Sequence, residues 1–199
     1  MLDTEVYSNT GGQSSKATPF GAIAKFAQSG KKTQKKNLAK IAMQYDNVYV
    51  AKICLSANPN QALTAFKEAM EHNGPSIIIA YAPCTQQGVD ISKTPTIEKL
   101  AVQSGYFTLL RRKPMLSKPT LEIAQENMKN PNFVKATTTT AIPNASQVDS
   151  KQTNDSLTFQ RLENYDEFTT GELIIDSGAP TIPLENFLSL QNRFTPKNK

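Results

Sequence analysis

The sequence predicts an α/β fold in which a mostly parallel sheet is flanked by helices and followed by an irregular C-terminal region. Strand-like apolar runs alternate with segments of helical spacing through residues 1–112, a pattern typical of sheets with helices on their faces. Residues 76–81 are almost continuously apolar, as expected for a strand buried on both faces of a parallel sheet. After residue 114 the apolar residues thin out and no period persists. We therefore expect an α/β body at 1–113, an irregular insertion or diverged linker at 114–182, and a C-terminal helix and tail at 183–199.

Individual elements follow from hydrophobic spacing and from helix start and stop residues. Residues 19–29 have apolar side chains at helical spacing, with a proline at the start and Gly30 just past the end. Residues 48–55 are rich in β-branched and aromatic side chains, which favours a strand. The expected elements, in chain order, are a strand end at 2–6, helices at 19–29 and 36–45, a strand at 48–55, a helix at 61–72, a strand at 76–81, a helix at 95–104, a strand at 106–111, and further helices at 119–129 and 183–190.

Composition and charge exclude several classes of protein. The 22 basic and 17 acidic residues give a net charge of +5, which is too small and too dispersed to indicate nucleic-acid binding. No apolar stretch is long enough to span a membrane. Two cysteines are too few for a disulfide scaffold, and the N-terminus lacks a signal-peptide pattern. We therefore expect a reducing compartment and no secretion.

The loop after the first strand end carries the residues best suited to ligand binding. Ligands of open α/β sheets bind in the crevice beyond the carboxyl ends of the strands. Thr4 and the backbone carbonyl near Val6 offer the hard oxygen atoms that Mg²⁺ prefers. Asn9 and the amides of Gly11 and Gly12 are suited to a phosphate or another polar group of a cofactor. A polar turn that caps the next helix explains the same residues equally well.

Other reactive or charged residues have simpler interpretations. His72 stands at the end of a predicted helix, where it would interact with the helix C-terminus or with solvent. By position alone, Cys54 and Cys84 read as packed, inert thiols. The basic run at 31–36 favours a solvated loop between helices, with a docking patch for an acidic protein as the alternative.

The opening motif resembles a known family. Leu2-Asp-Thr-Glu-Val-Tyr-Ser-Asn-Thr-Gly-Gly-Gln-Ser-Ser-Lys-Ala-Thr-Pro19 is similar to the thiamine diphosphate-binding domain of pyruvate:ferredoxin (flavodoxin) oxidoreductases. The resemblance continues through Gly74-Pro-Ser-Ile-Ile-Ile-Ala-Tyr-Ala-Pro-Cys84 and Ala101-Val-Gln-Ser-Gly-Tyr-Phe107, so it covers residues 1–113. A weaker similarity returns at residues 183–194. The implied fold is the C-terminal part of that thiamine diphosphate-binding domain.

The resemblance also implies roles for single residues. It implies that the Thr4 side chain and the Val6 carbonyl bind the Mg²⁺ that holds the diphosphate. It places Asn9 beside the reactive part of the cofactor, as a catalytic residue, and Gly11 and Gly12 in the cofactor-binding loop. Cys84 matches the fourth thiolate of a four-iron four-sulfur (4Fe-4S) cluster, whereas Cys54 matches no residue with a role in the family.

For the whole enzyme, the resemblance implies oxidative decarboxylation of pyruvate to acetyl-CoA. Electrons would pass through iron–sulfur clusters to ferredoxin or flavodoxin, and coenzyme A would accept the acetyl group. The expected partner is the rest of the oxidoreductase, as a homodimer when complete. The expected location is the cytoplasm or the matrix of an anaerobic organelle.

Several departures from the family pattern leave alternatives open. The sequence has no Gly-Asp-Gly segment to supply a Mg²⁺-binding aspartate, and it lacks the three other cluster cysteines. Gln87 stands where a histidine often follows the cluster cysteine, and residues 117–178 do not resemble the family. The abrupt opening at Leu2 suggests a piece of a longer polypeptide, inactive alone. A non-catalytic remnant or interaction module, a related 2-oxo acid oxidoreductase, and a domain fused to a flavin reductase remain alternatives.

Overall fold

A five-stranded mixed sheet forms the centre of the protein in a computed structural model that describes residues 1–114 and 171–194. All of these residues belong to one compact unit. The strands are β1 (Leu2–Asp3), β2 (Tyr49–Ile53), β3 (Ser76–Tyr81), β4 (Leu110–Lys113) and β5 (Glu172–Ile175). Their order across the sheet is β1-β3-β2-β4-β5.

The core of the sheet is parallel, which confirms the predicted fold class. Strand β3 pairs in parallel with β1 on one side and β2 on the other. Strand β4 pairs antiparallel with β2, and β5 pairs antiparallel with β4, so the sheet is parallel only on its β1 side. Strand β5 lies in the stretch that was expected to be irregular. Its sequence, Glu-Leu-Ile-Ile, is at the short limit of a strand signal and does not alternate apolar with polar residues.

Four helices are described: α1 (Leu38–Ala42), α2 (Pro59–Glu71), α3 (Thr94–Gln103) and α4 (Leu184–Leu188). Helix α2 starts where the sequence predicts, because the Asn58 side chain accepts a hydrogen bond from the Gln61 amide over 3.0 Å and Pro59 occupies the first turn. Short 3₁₀ turns follow β3 at Thr85–Gln87 and precede α3 at Ile91–Lys93.

The helix predicted for residues 19–29 does not form. These residues run as turns and isolated bridges, and several of their amides donate to distant parts of the chain. Gly21 donates to the carbonyl of Lys31 over 2.8 Å, and Ile23 donates to that of Arg193 over 2.8 Å. Phe26 has a φ of 64°, outside the right-handed helical region. Tertiary hydrogen bonds therefore override the helical spacing here.

The C-terminal segment packs onto the main body. Phe187 of α4 is fully buried and joins the core cluster that contains Cys54, Tyr81 and Phe107. The Phe187 ring lies 4.6 Å from the Tyr106 ring, centroid to centroid. Residues of the 1–114 and 171–194 segments thus share one hydrophobic core, and this core positions the loops at the edge of the sheet.

Two further predictions concern helices. The helix expected at 119–129 lies outside the described residues, as does most of the 114–182 segment. Among the residues that the structure does describe, no helix has the length and apolar character needed to cross a membrane.

Candidate functional site

The opening loop and the loop after β3 meet at one edge of the sheet. Strand register pairs Asp3 with Tyr81, so both loops leave the sheet at the same end. Gln87, which is buried in the second loop, donates from Nε2 to the carbonyl oxygen of Thr4 over 2.6 Å. The two loops therefore share one edge of the sheet, and a direct hydrogen bond fixes their spacing.

Three oxygen atoms of the opening loop lie close together. Thr4 Oγ1 donates to the Val6 carbonyl over 3.0 Å, and Ser8 Oγ donates to Thr4 Oγ1, also over 3.0 Å. Two ligands at adjacent corners of a Mg²⁺ octahedron, with bonds of about 2.1 Å, are themselves about 3 Å apart. The Thr4 and Val6 oxygens therefore fit a Mg²⁺ ion once the Thr4 hydroxyl proton turns away from Val6.

The remaining loop residues shape the turn. Asn9 is exposed and follows Ser8 in a turn closed by a 3.4 Å hydrogen bond from the Gly11 amide to the Ser8 carbonyl. The Gly12 amide donates to the Tyr7 carbonyl over 2.9 Å. Both glycines have positive φ values, 100° and 85°, which glycine adopts readily. Their amides serve the loop itself, so phosphate binding by these amides stays a prediction.

Cys84 lies in the second loop and is a half-buried free thiol. Its carbonyl accepts a hydrogen bond from the Gln87 amide over 2.9 Å. In residues 1–114 and 171–194, no group of three or more His, Cys, Asp or Glu side chains is arranged to hold a metal ion. The described chain thus offers one thiolate at this position, which does not fit a complete 4Fe-4S site.

A buried ionic cluster lies directly beneath the opening loop. Glu5, which is 1% exposed, sits between the two candidate Mg²⁺ ligands. Its carboxylate accepts hydrogen bonds from Arg193 (2.5 Å), Lys35 (2.7 Å) and Tyr106 (2.9 Å). Sequence reasoning missed this cluster, because charged residues usually lie on the surface and its members are spread over 188 positions of the chain.

The two cations keep the Glu5 carboxylate ionised. Burial alone would raise the pKa of Glu5, but the charges and hydrogen bonds of Lys35 and Arg193 outweigh it and lower the pKa to about 2. Lys35 also contacts the carboxylate of Asp3 over 2.6 Å. The prediction that the run at 31–36 is a solvated loop is therefore wrong for Lys35. It is also wrong for Lys31, whose Nζ donates to two backbone carbonyls.

Cys54 and His72, which have no proposed catalytic role, occupy structural positions. Cys54 is fully buried in the core, and burial raises the pKa of its thiol to about 12. His72 caps the C-terminus of α2, and its Nε2 atom lies 2.9 Å from the carbonyl oxygen of Asn47. The prediction that Cys54 packs in the sheet region is confirmed, and His72 lies at the helix end as expected.

A polar loop with paired oxygen atoms lies at the edge of the sheet, above its parallel strands, where open α/β sheets bind ligands. Residues 1–80 match the family model described as the thiamine pyrophosphate enzyme, C-terminal TPP binding domain.

The chain is also similar to pyruvate oxidoreductases from several organisms. It is 50% identical over 131 residues to pyruvate-flavodoxin oxidoreductase of Nostoc sp., which covers 66% of this chain and 11% of that protein. It is 49% identical over 141 residues to pyruvate:ferredoxin oxidoreductase of Moorella thermoacetica, covering 71% and 11%. It is 53% identical over 117 residues to the NADP(+) pyruvate dehydrogenase of Cryptosporidium parvum, covering 58% and 6%.

These comparisons confirm the resemblance inferred from the opening motif. The chain spans about a tenth of the length of the first two relatives, 11% in each case.

Proposed function

We propose that this chain supplies one half of a thiamine diphosphate site in a pyruvate oxidoreductase that makes acetyl-CoA. The observation that supports this most directly is the Thr4–Val6 oxygen pair, 3.0 Å apart at the edge of a parallel sheet. Thiamine diphosphate, when bound, supplies the carbanion chemistry that releases carbon dioxide from a 2-oxo acid. The substrates in this proposal are pyruvate and coenzyme A.

In this proposal each residue of the opening loop has one task. Thr4 Oγ1 and the Val6 carbonyl hold the Mg²⁺ that neutralises the diphosphate. Ser8 donates to Thr4 Oγ1 and uses one lone pair of that oxygen, so the other lone pair would bind the metal. Asn9, exposed on the loop, faces the reactive part of the cofactor, while Gly11 and Gly12 let the backbone turn beneath it.

Cys84 has a separate task, which is to provide one thiolate to a 4Fe-4S cluster. The other three thiolates would come from other parts of the oxidoreductase. The hydrogen bond from Gln87 to Thr4 links the Cys84 loop to the metal loop, so the cluster and the thiamine would be held at a fixed distance. The electron acceptor in this proposal is ferredoxin or flavodoxin, as the names of two relatives state for those proteins.

The rest of the assembly is proposed on the same basis. It is a homodimer, and it resides in the cytoplasm or the matrix of an anaerobic organelle. Residues 1–113 would be its partial thiamine diphosphate-binding domain, 114–182 an insertion or diverged linker, and 183–199 a C-terminal helix and tail.

The test is to assemble the full chain with the parts that carry a Gly-Asp-Gly segment and the other cluster cysteines. Pyruvate- and coenzyme A-dependent reduction of methyl viologen is then measured. Thr4→Ala should abolish activity at the Mg²⁺ concentration that saturates the wild type, and Cys84→Ser should abolish electron transfer while leaving thiamine diphosphate binding intact. The matched control is Cys54→Ala, which removes the other thiol and should retain activity. An active Thr4→Ala or Cys84→Ser enzyme would contradict the assignments.

The isolated chain offers a second test. With an incomplete set of Mg²⁺ ligands, it should show little thermal stabilisation by thiamine diphosphate and Mg²⁺. A large shift in its melting temperature would mean that the site is complete without a partner. An assembly that binds neither cofactor would favour a non-catalytic interaction module.

A second electron acceptor is favoured by one comparison. The Cryptosporidium parvum relative is named as an NADP(+) pyruvate dehydrogenase. An oxidoreductase that contains this chain joined to a flavin reductase would reduce NADP⁺ instead of ferredoxin. Comparing the rates with NADP⁺, ferredoxin and flavodoxin distinguishes these candidates, and testing other 2-oxo acids distinguishes pyruvate from related substrates.

A further inference from the structure

Glu5 occupies an unusual position between the two candidate metal ligands. Its φ of 60° lies in the left-handed region, which residues with a Cβ atom rarely adopt. This turn in the backbone lets the Thr4 side chain and the Val6 carbonyl approach to 3.0 Å. The geometry of the oxygen pair therefore depends on keeping Glu5 in a conformation that its own backbone disfavours.

Hydrogen bonds hold both the backbone and the side chain of Glu5 in place. Its amide donates to Asp3 Oδ1 over 3.3 Å, and its carbonyl accepts from Thr18 Oγ1 over 2.6 Å. Tyr106 OH lies 2.9 Å from both carboxylate oxygens, and Lys35 and Arg193 each contact one of them. A strained residue persists only where its surroundings determine its conformation in this way.

Arg193 connects this residue to the C-terminal segment. It is 4% exposed, and its guanidinium contacts Glu5 Oε2 and lies 3.3 Å from Tyr106 OH. A third bond, from Nε to Gln191 Oε1 over 2.7 Å, fixes its orientation. The Arg193 carbonyl accepts from the Ile23 amide, so side chain and backbone both fasten this segment beneath the opening loop.

We propose that Glu5 is a positioning residue for the metal site and that Tyr106 and Arg193 act through it. The C-terminal segment is then part of the cofactor site, although none of its described residues is a proposed metal ligand. This inference rests on the proposed function, since it takes the Thr4–Val6 pair as the Mg²⁺ site. It assigns a role to a contact between residues 188 positions apart.

The test uses Tyr106→Phe and Arg193→Lys in the assembled oxidoreductase. Tyr106→Phe removes the hydroxyl and keeps the aromatic ring. Arg193→Lys keeps the positive charge and loses the planar guanidinium group. Arg111→Lys is the matched control, because Arg111 forms a comparable ion pair with Asp176 (2.9 Å) away from the loop. The probe is Mn²⁺ with thiamine diphosphate, and its dissociation constant is measured by electron paramagnetic resonance well below each melting temperature.

We expect the Mn²⁺ dissociation constant to rise about tenfold in Tyr106→Phe and Arg193→Lys, in line with other residues that orient metal ligands. It should stay within about twofold of wild type in Arg111→Lys, and saturating Mg²⁺ should restore kcat in the two test variants. Unchanged Mn²⁺ affinity in both test variants would overturn the proposal, as would an equal loss in Arg111→Lys. If the wild-type assembly binds no Mn²⁺ with thiamine diphosphate, the proposed function itself fails, which is a separate result.

Discussion

Replacing Glu5 by glutamine should change how the stability of the chain depends on pH. The ionised carboxylate is buried between Lys35 and Arg193, and its pKa falls from 4.5 to about 2 in the folded protein. A depressed folded-state pKa contributes stability that is fully present above pH 4.5. That contribution is lost as the pH falls through about 2, because the unfolded chain takes up the proton first.

The magnitude follows from the two pKa values. A change from 4.5 to about 2 corresponds to about 3 kcal/mol of unfolding free energy at neutral pH. Glutamine keeps the size of the side chain but cannot ionise, so this pH-dependent contribution disappears. Glu5→Gln should also be less stable than wild type at pH 7, because the buried Arg193 loses its counter-charge and Lys35 keeps only Asp3.

The assay is urea unfolding of the full chain, followed by circular dichroism in metal-free buffer at several pH values between 7 and 2. The difference in unfolding free energy between wild type and Glu5→Gln should be largest at pH 7 and should shrink by about 3 kcal/mol toward pH 2. Glu185→Gln, which changes an exposed carboxylate of α4, is the control and should follow the wild-type profile. Parallel profiles for wild type and Glu5→Gln would refute the reasoning.

Three further substitutions test the local structure by thermal and urea unfolding. Gly12→Ala should lower the free energy of unfolding by about 1–3 kcal/mol, because the φ of Gly12 is 85° and a Cβ would lie 2.7 Å from a side-chain oxygen. Gly178→Ala is the control and should be neutral, because a Cβ at Gly178 meets open space. Equal losses of stability in the two variants would contradict this. Asn58→Ala should cost about 1 kcal/mol by removing the cap of α2, and a neutral result would mean that the cap is replaced. Phe187→Ala should cost about 3–5 kcal/mol, and a cost below about 1 would show that α4 does not anchor the core.

Elements with strong local signals could be predicted from the sequence. Strand β3 has the predicted bounds because its apolar run is uninterrupted, and α2 has its capping asparagine and its terminating glycine and proline in the chain. Residues 19–29 show the opposite case, since their helical spacing is outweighed by hydrogen bonds to Lys31 and Arg193. Periodicity reports which residues are apolar, and it does not report where amide hydrogens find their acceptors.

The candidate site divides in the same way. Thr4, Val6 and Asn9 could be assigned because they lie in one short motif, and the structure brings the first two together. Glu5 could not be assigned, since a glutamate in a polar loop looks like a solvated residue until its buried partners are known. Whether β4 runs parallel or antiparallel to β2 depends on how the chain returns to the sheet after α3. Composition does not encode this path, and β4 is antiparallel to β2 in the structure.

The position of Glu5 explains why the opening motif, although contiguous in sequence, depends on residues from other segments for its geometry. Its residues supply the oxygen atoms, but a left-handed glutamate between them is a conformation that the motif alone disfavours. Lys35, Tyr106 and Arg193 offset that cost from three other segments of the chain. Because the Tyr106 ring packs 4.6 Å from the Phe187 ring of α4, packing changes at α4 should reach the metal pair through Tyr106 and Glu5, even though α4 supplies no ligand.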